Sequence, residues 1–350
     1  MTTVIERGSV STAGSTTGTP KVRRRIVGLV VAVLVLAVMV VVSILVGTKA
    51  IPVHVVWEAL FAQSADPDQF TVRDLRVPRT VAGLVVGVAS GVSGALIQAL
   101  TRNPLADTGI LGINAGAAFA VAIGVSVFGV TRVQGYLWFA FTGALVVMAA
   151  VLAIGATRQG RTPIVLVLAG VSIGAVLNGL VRGLTLLDPQ AFDQLRSWEA
   201  GSIAGRPLEV VWPVLPFVAG ALVLALVVGR SLNAIALGDE LAAAQGVRVP
   251  RTRVLTVAAI ALLAGGATAI AGPIVFVGLM IPHVARWITG PDHRWIIAYS
   301  ALLAPSLLLI SDVLGRVVMM PSEIPVGVVT AFVGAPVLIV LVRRRRASGL

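Results

Sequence analysis

The sequence contains no cysteine and only two lysines, Lys21 and Lys49, among its 27 basic residues. Without cysteine there is no disulfide, no thiol nucleophile and no thiolate metal site. Neither lysine can close a phosphate-binding loop, because Val22 follows Lys21 and Ala50 follows Lys49 where Ser or Thr is required. ATP hydrolysis by that route is excluded. The three histidines, His54, His283 and His293, show no metal-ligand spacing, so no metal and no cofactor is expected. Charged residues make up only 12% of the 350, against about 25% in soluble domains, while 57% are hydrophobic and the mean hydropathy is +0.98. A soluble globular fold is thereby ruled out. A net charge of +12 would point to nucleic acid in a soluble protein. Here the basic residues flank apolar runs, as membrane topology requires, and no nucleic-acid partner is expected.

A helix needs about 20 apolar residues to cross the hydrocarbon layer. Nine stretches are free of Asp, Glu, Lys and Arg: 26–46, 80–101, 108–131, 133–157, 162–181, 210–229, 254–285, 295–311 and 324–342. The run 254–285 is too long for one span and is interrupted at Ala271-Gly272-Pro273, where proline removes a donor and clashes with the preceding turn. We therefore read one helix ending near Gly272 and a short one over 274–288, which makes ten transmembrane helices. The basic clusters at 21–25 and 343–346 place both termini in the cytoplasm, and that demands an even number. The chain is expected to be an all-α, multi-pass protein of the cell membrane. Its Ser/Thr/Gly-rich residues 1–25 form a disordered cytoplasmic tail, and residues 26–346 form the transmembrane domain.

Val77-Pro78-Arg79-Thr80 opens the second span and Val249-Pro250-Arg251-Thr252 opens the seventh, on opposite sides of the membrane in this topology. Spans two to five and seven to ten are accordingly expected to form an inverted repeat. Gly83, Gly87, Gly91 and Gly94 share a helical face, and close helix packing explains them. Gly91-Val92-Ser93-Gly94 with a distant His283 has the outline of an intramembrane serine protease, but packing accounts for the tetrapeptide and no catalytic residue is assigned. Every Asp and Glu, Asp188, Asp312 and Glu323 included, is read as lying in a loop or close to a span end. That disfavours an ion-coupled carrier working alone.

Two groups of residues remain. In the cytoplasmic loop 231–253, Asp239 after Gly238 reads as an N-cap, Leu241 to Gln245 as helix and Gly246 as its terminator. The residues alone leave an ordinary connector and a lever seated on a cytoplasmic partner equally open. On the outer face, Arg76, Arg79 and Arg316 run against the topology bias. They can receive carboxylates from a docking protein or snorkel to lipid phosphates.

Four stretches carry a resemblance: LRVPRTVAGLVVGVASGVSGALIQALTRNPLADTGILGINAGAA (75–118), ALGDELAAAQGV (236–247), AGPIVFVGLMIPHVARWITGPDHRW (271–295) and PSEIPVGVVTAFVGAP (321–336). They resemble the FecCD-type permeases of binding-protein-dependent ABC importers for iron-siderophore, haem and cobalamin, whose structural type is BtuC-like. The resemblance implies a type II importer permease with ten helices, no enzymatic activity of its own and a second permease subunit as homo- or heterodimer partner. It also implies two P-loop ATPase subunits below and an extracytoplasmic siderophore-binding protein above. Under it, Gly238, Asp239, Glu240, Leu241, Ala244 and Gly246 belong to the ATPase coupling helix, and Arg76, Arg79 and Arg316 to the binding-protein dock. The stretch from Leu111 to Ala117, with Asn114 where many members have Ser, is similar to ferric-enterobactin-type (FepD-type) members. Ferric siderophore is therefore the expected cargo, with cobalamin or haem the alternatives.

Overall fold

The computed structural model of the chain describes residues 19–61, 66–130, 132–155 and 163–347. Among the described residues all regular structure is helical. It comprises α1 (Thr19–Leu45), α2 (Val53–Phe61), α3 (Pro67–Phe70), a π-helical segment (Thr71–Arg76), α4 (Val77–Thr101), a 3-10 turn (Thr108–Leu111), α5 (Ile113–Ser126), α6 (Val133–Gly155) and α7 (Pro163–Leu187). There follow α8 (Pro189–Glu199), α9 (Leu208–Val211), α10 (Leu215–Ile235), α11 (Asp239–Ala244), α12 (Val249–Ala271), α13 (Val277–Thr289), α14 (His293–Val318) and α15 (Val326–Ala347). Seven helices are long and apolar enough to cross a bilayer: α1, α4 with the turns before it, α6, α7, α10, α12 and α14. Two shorter apolar helices are α5 and the segment Val326–Ile339 of α15. Each expected span thus holds a helix, while the length for a full crossing is met by seven.

The break in the long run falls where proline placed it. Gly272 ends α12 at φ +75°, a backbone region that favours glycine, and a Cβ there would collide with the Trp198 carbonyl. The helix resumes at Val277. At the N-terminus, residues 1–18 lie outside the described residues, but α1 already begins at Thr19, so 19–25 of the expected tail are helical. Arg25 is fixed there: its guanidinium donates to the Thr289 carbonyl at 2.6 Å, and its own carbonyl accepts from the Tyr299 hydroxyl at 2.7 Å.

The centre is built from α4, α12 and α14, whose apolar windows are 72%, 78% and 67% buried, whereas α1 and α7 are 11% and 22% buried. Glycine makes this packing possible. A Cβ at Gly87 would overlap Pro305 of α14, one at Gly91 would overlap Ala304, and one at Gly94 would overlap the Gly278 carbonyl of α13. Lipid supplies no hydrophobic drive between helices, so close approach of backbones is what holds them. The succession of a long helix, a short one and two long ones occurs twice. In α4–α7 the lengths are 25, 14, 23 and 25 residues, and in α12–α15 they are 23, 13, 26 and 22. In both copies the threonine of the opening tetrapeptide donates four residues back, Thr80 to the Arg76 carbonyl and Thr252 to the Arg248 carbonyl.

Candidate functional site

Arg76, Arg79 and Arg316 come together, and all three are buried. The last turn of α1 explains two of them, because its carbonyls have no partner within the helix. Arg76 donates to the Ile44, Leu45 and Lys49 carbonyls at 2.9, 2.6 and 2.5 Å. Arg316 donates to the Ser43 and Val46 carbonyls at 2.8 and 2.9 Å. Cations at a helix C-terminus are also favoured by its dipole. Arg79 lies on α4 and reaches Asp312 through Nε at 2.9 Å and Nη2 at 2.7 Å, and Glu323 through Nη1 at 2.6 Å. Arg316 completes the group with bonds to Asp312 from Nε and Nη2 and to the Ser43 hydroxyl, so each of its five N–H groups has an acceptor. The carboxylates that Arg79 and Arg316 receive in this structure are the chain's own, and Arg76 receives only carbonyls.

Asp312 corrects the placement of acidic residues. It lies six residues inside the end of α14, only 1% exposed, rather than at a span end. A run counted to the first charge stops at residue 311, but the helix continues because two guanidiniums neutralise that charge inside it. The i, i+4 spacing of Asp312 and Arg316 was the available signal.

The short helix expected in 231–253 is present as α11. Gly238, at φ +121°, takes the N-cap position instead of Asp239, and the Asp239 side chain makes no capping bond. That carboxylate is bound instead by Arg102 at the end of α4, 2.5 Å, and by Arg253 in the first turn of α12, 2.7 Å. Ala242 is buried and packs with Ala234, Ile235 and Val249. Glu240, Leu241 and Ala244 face outward, as do Leu237 and Gly246, and Leu237 and Leu241 are 64% and 57% exposed. Gly246, at φ +81°, closes the helix as expected.

Beside the core lies a cavity of about 530 Å³ lined by small residues of α5 and α7, with Asn114, Asn178, Trp198, Glu199 and Pro273. Asn114 accepts a hydrogen bond there from Thr268 at 3.1 Å. The loop into α5 is set by Asp107, whose carboxylate accepts from the Gly109 amide at 2.8 Å. Burial pushes this carboxyl above its ordinary pKa, against the Thr108 and Gly109 amides that pull it down. Ser93 donates to the Ser90 carbonyl at 3.1 Å within its own helix, as a packing residue does. No cluster of three or more His, Cys, Asp and Glu suited to a metal occurs among the described residues.

Seven membrane-length helices, a small-residue cavity beside the core and a buried charge network define a multi-pass membrane protein of the translocating kind. Residues 34–344 match the FecCD transport family, and the chain belongs to it. The ferric enterobactin transport system permease protein FepD of Escherichia coli (strain K12) is 49% identical over 308 residues, covering 88% of this chain and 92% of that protein. The "Probable siderophore transport system permease protein" YfiZ of Bacillus subtilis (strain 168) is 37% identical, covering 90% and 95%. A solved metal-chelate type ABC transporter in an inward-facing conformation matches with a TM-score of 0.77 at 26% identity, covering 90% of this chain and 98% of that one.

Proposed function

We propose that the chain is the permease subunit of an ABC importer that moves ferric siderophore complexes into the cytoplasm. The observation that carries this reading is the 49% identity to a ferric enterobactin permease over almost the whole transmembrane domain. The fold supports it with a cavity flanked by α7, whose exposed face awaits a second permease subunit. In the full assembly α5, α13 and α15 complete ten crossings as an inverted repeat with both termini cytoplasmic. α7 then runs outward and α8 lies on the extracytoplasmic side of the cell membrane.

The chain hydrolyses no ATP in this reading. Two partner ATPases supply the energy through α11, which with the preceding Leu237 presents Leu241 and Ala244 to them and is tied by Asp239 to α4 and α12. Each nucleotide state must favour a different permease conformation for that tie to move cargo. An extracytoplasmic siderophore-binding protein docks over the outer rim. Because Arg76, Arg79 and Arg316 are spent on internal acceptors, they hold that rim in shape, and Glu323 is its partly exposed member. Reconstitution tests the whole: liposomes holding the permease, ATPase and binding protein should accumulate iron chelate only with ATP. Accumulation by the chain alone would refute it.

A further inference from the structure

A second cavity, of about 430 Å³, lies where α7 turns into α8. The turn is fixed by Asp188, whose carboxylate accepts from the Gln190 and Ala191 amides at 2.9 and 3.3 Å, and by Pro189 at the start of α8. Two side-chain stripes face this space. Asn178, Arg182 and Thr185 come from α7, and Phe192, Arg196 and Glu199 from α8. Both sets have spacings of four and then three residues, which place each on one helical face. Ala191 and Trp198 anchor α8 in the core, and the buried Leu195 joins them while also bordering the cavity.

The two guanidiniums differ from the others just described. Arg76, Arg79 and Arg316 are buried and bonded internally, and Arg206 is held by the Ser202 carbonyl and the Tyr136 hydroxyl. Arg182 and Arg196 are exposed, and neither forms an ion pair among the described residues. Phe192, 48% exposed, stands one turn from Arg196. Paired guanidiniums take anionic oxygens through forked hydrogen bonds, and an open aromatic face suits a ligand that is itself partly aromatic. Glu199 is the one carboxylate in the lining. It also borders the larger cavity, as Asn178 does, so the two spaces adjoin there.

We infer that the α7–α8 cavity is an anion-recognising subsite, in which Arg182 and Arg196 receive a negatively charged iron chelate with aromatic oxygen donors before it passes to the larger cavity. Iron(III) held by three catecholates carries net negative charge, so that class of chelate fits. Glu199 at the boundary makes the onward path less positive, so the chelate is not trapped. The inference rests on the permease reading, and on the outward course of α7 within it.

The test is uptake of a radiolabelled iron(III) tris-catecholate chelate by cells carrying the complete transporter. Arg182→Gln with Arg196→Gln should raise the half-saturating concentration about tenfold or more, the scale of losing two close charge contacts. Arg182→Lys with Arg196→Lys should restore most of it. Added salt should weaken capture by the unaltered transporter and leave the glutamine pair unchanged. The amount of complex recovered with its ATPase reports that the variants assemble. Uptake by the glutamine pair equal to the unaltered transporter, in saturation and in salt response, would assign these arginines to lipid phosphates and overturn the subsite. Uptake of another ferric siderophore but not of the catecholate chelate by the unaltered transporter would likewise overturn the subsite, whereas absence of uptake of any ferric siderophore would overturn the permease reading.

Discussion

Asp312→Asn is the most discriminating change. The carboxylate receives Arg79 through Nε and Nη2 and Arg316 through Nε and Nη2, in a site where Asp312 and Arg316 are 1% and 2% exposed. Removing one partner of a buried pair leaves an uncompensated charge, at a cost of about 3–5 kcal/mol, which is roughly two to three and a half powers of ten in the folding equilibrium. The two arginines are not equally exposed to that loss. Arg79 keeps Glu323, while Arg316 keeps only neutral acceptors, the Ser43 and Val46 carbonyls and the Ser43 hydroxyl. Arg316 thus carries most of the penalty, and the double change Asp312→Asn with Arg316→Met should recover part of it, whereas Asp312→Asn with Arg79→Met should recover less. Thermal stability in detergent and the yield of monodisperse protein measure all three. If Asp312→Asn alone melts with the unaltered protein, the network does not hold the adjoining ends of α1, α4 and α14 together and the reasoning fails.

Arg316→Glu should prevent accumulation of folded protein, because it sets a carboxylate against Asp312 and against the α1 carbonyls; normal accumulation with loss of binding-protein docking alone would return the arginines to a contact role. Asp239→Asn should cost no more than about 1 kcal/mol of stability, since its ion pairs are solvent-screened, yet lower ATP-driven uptake. Ala244→Arg should uncouple the ATPase without unfolding the chain, and normal transport with either change would make α11 a plain connector. Ala243→Pro, placed beyond the first turn where proline is tolerated, should break α11 and likewise lower ATP-driven uptake. Gly94→Val should destabilise by about 1–3 kcal/mol through overpacking against Gly278, read as a lower melting temperature. Burial raises the Asp107 pKa above its unfolded value, so its stabilising contribution is full below the ordinary carboxylate range and is lost as pH rises through the raised value. Asp107→Asn should flatten the melting-versus-pH slope just above that range, and an unchanged slope would place the pH dependence elsewhere.

Much of the helical order was legible because lipid imposes it. Uncharged runs located a helix in each expected position, seven of them long enough to cross, Pro273 marked the break after α12, and the glycine face of α4 foretold its close packing. The α11 segment was also readable from Gly238 and Gly246, though not the use of Asp239, whose partners lie 137 and 14 residues away. The internal acceptors of Arg76, Arg79 and Arg316 were not legible for the same physical reason. Sequence shows a cation beside a span but not the carbonyls that another helix leaves open, so capping of α1 by Arg76 and Arg316 could appear only in three dimensions. Asp312 looked peripheral because a charge ends an apolar run whether or not a counter-charge allows the helix to continue. The α7–α8 stripes were invisible because the uncharged run ends at residue 181, before Arg182, and the segment up to residue 210 holds no run of membrane length.

The glycine contacts along α4 have a mechanical consequence. Where backbones touch with no side chains between them, there is no compliant layer to absorb sliding, so α4, α13 and α14 must travel as a single keel. Any widening or narrowing of the space beside them must then come from neighbouring helices shifting against that keel, whose interior stays undisturbed.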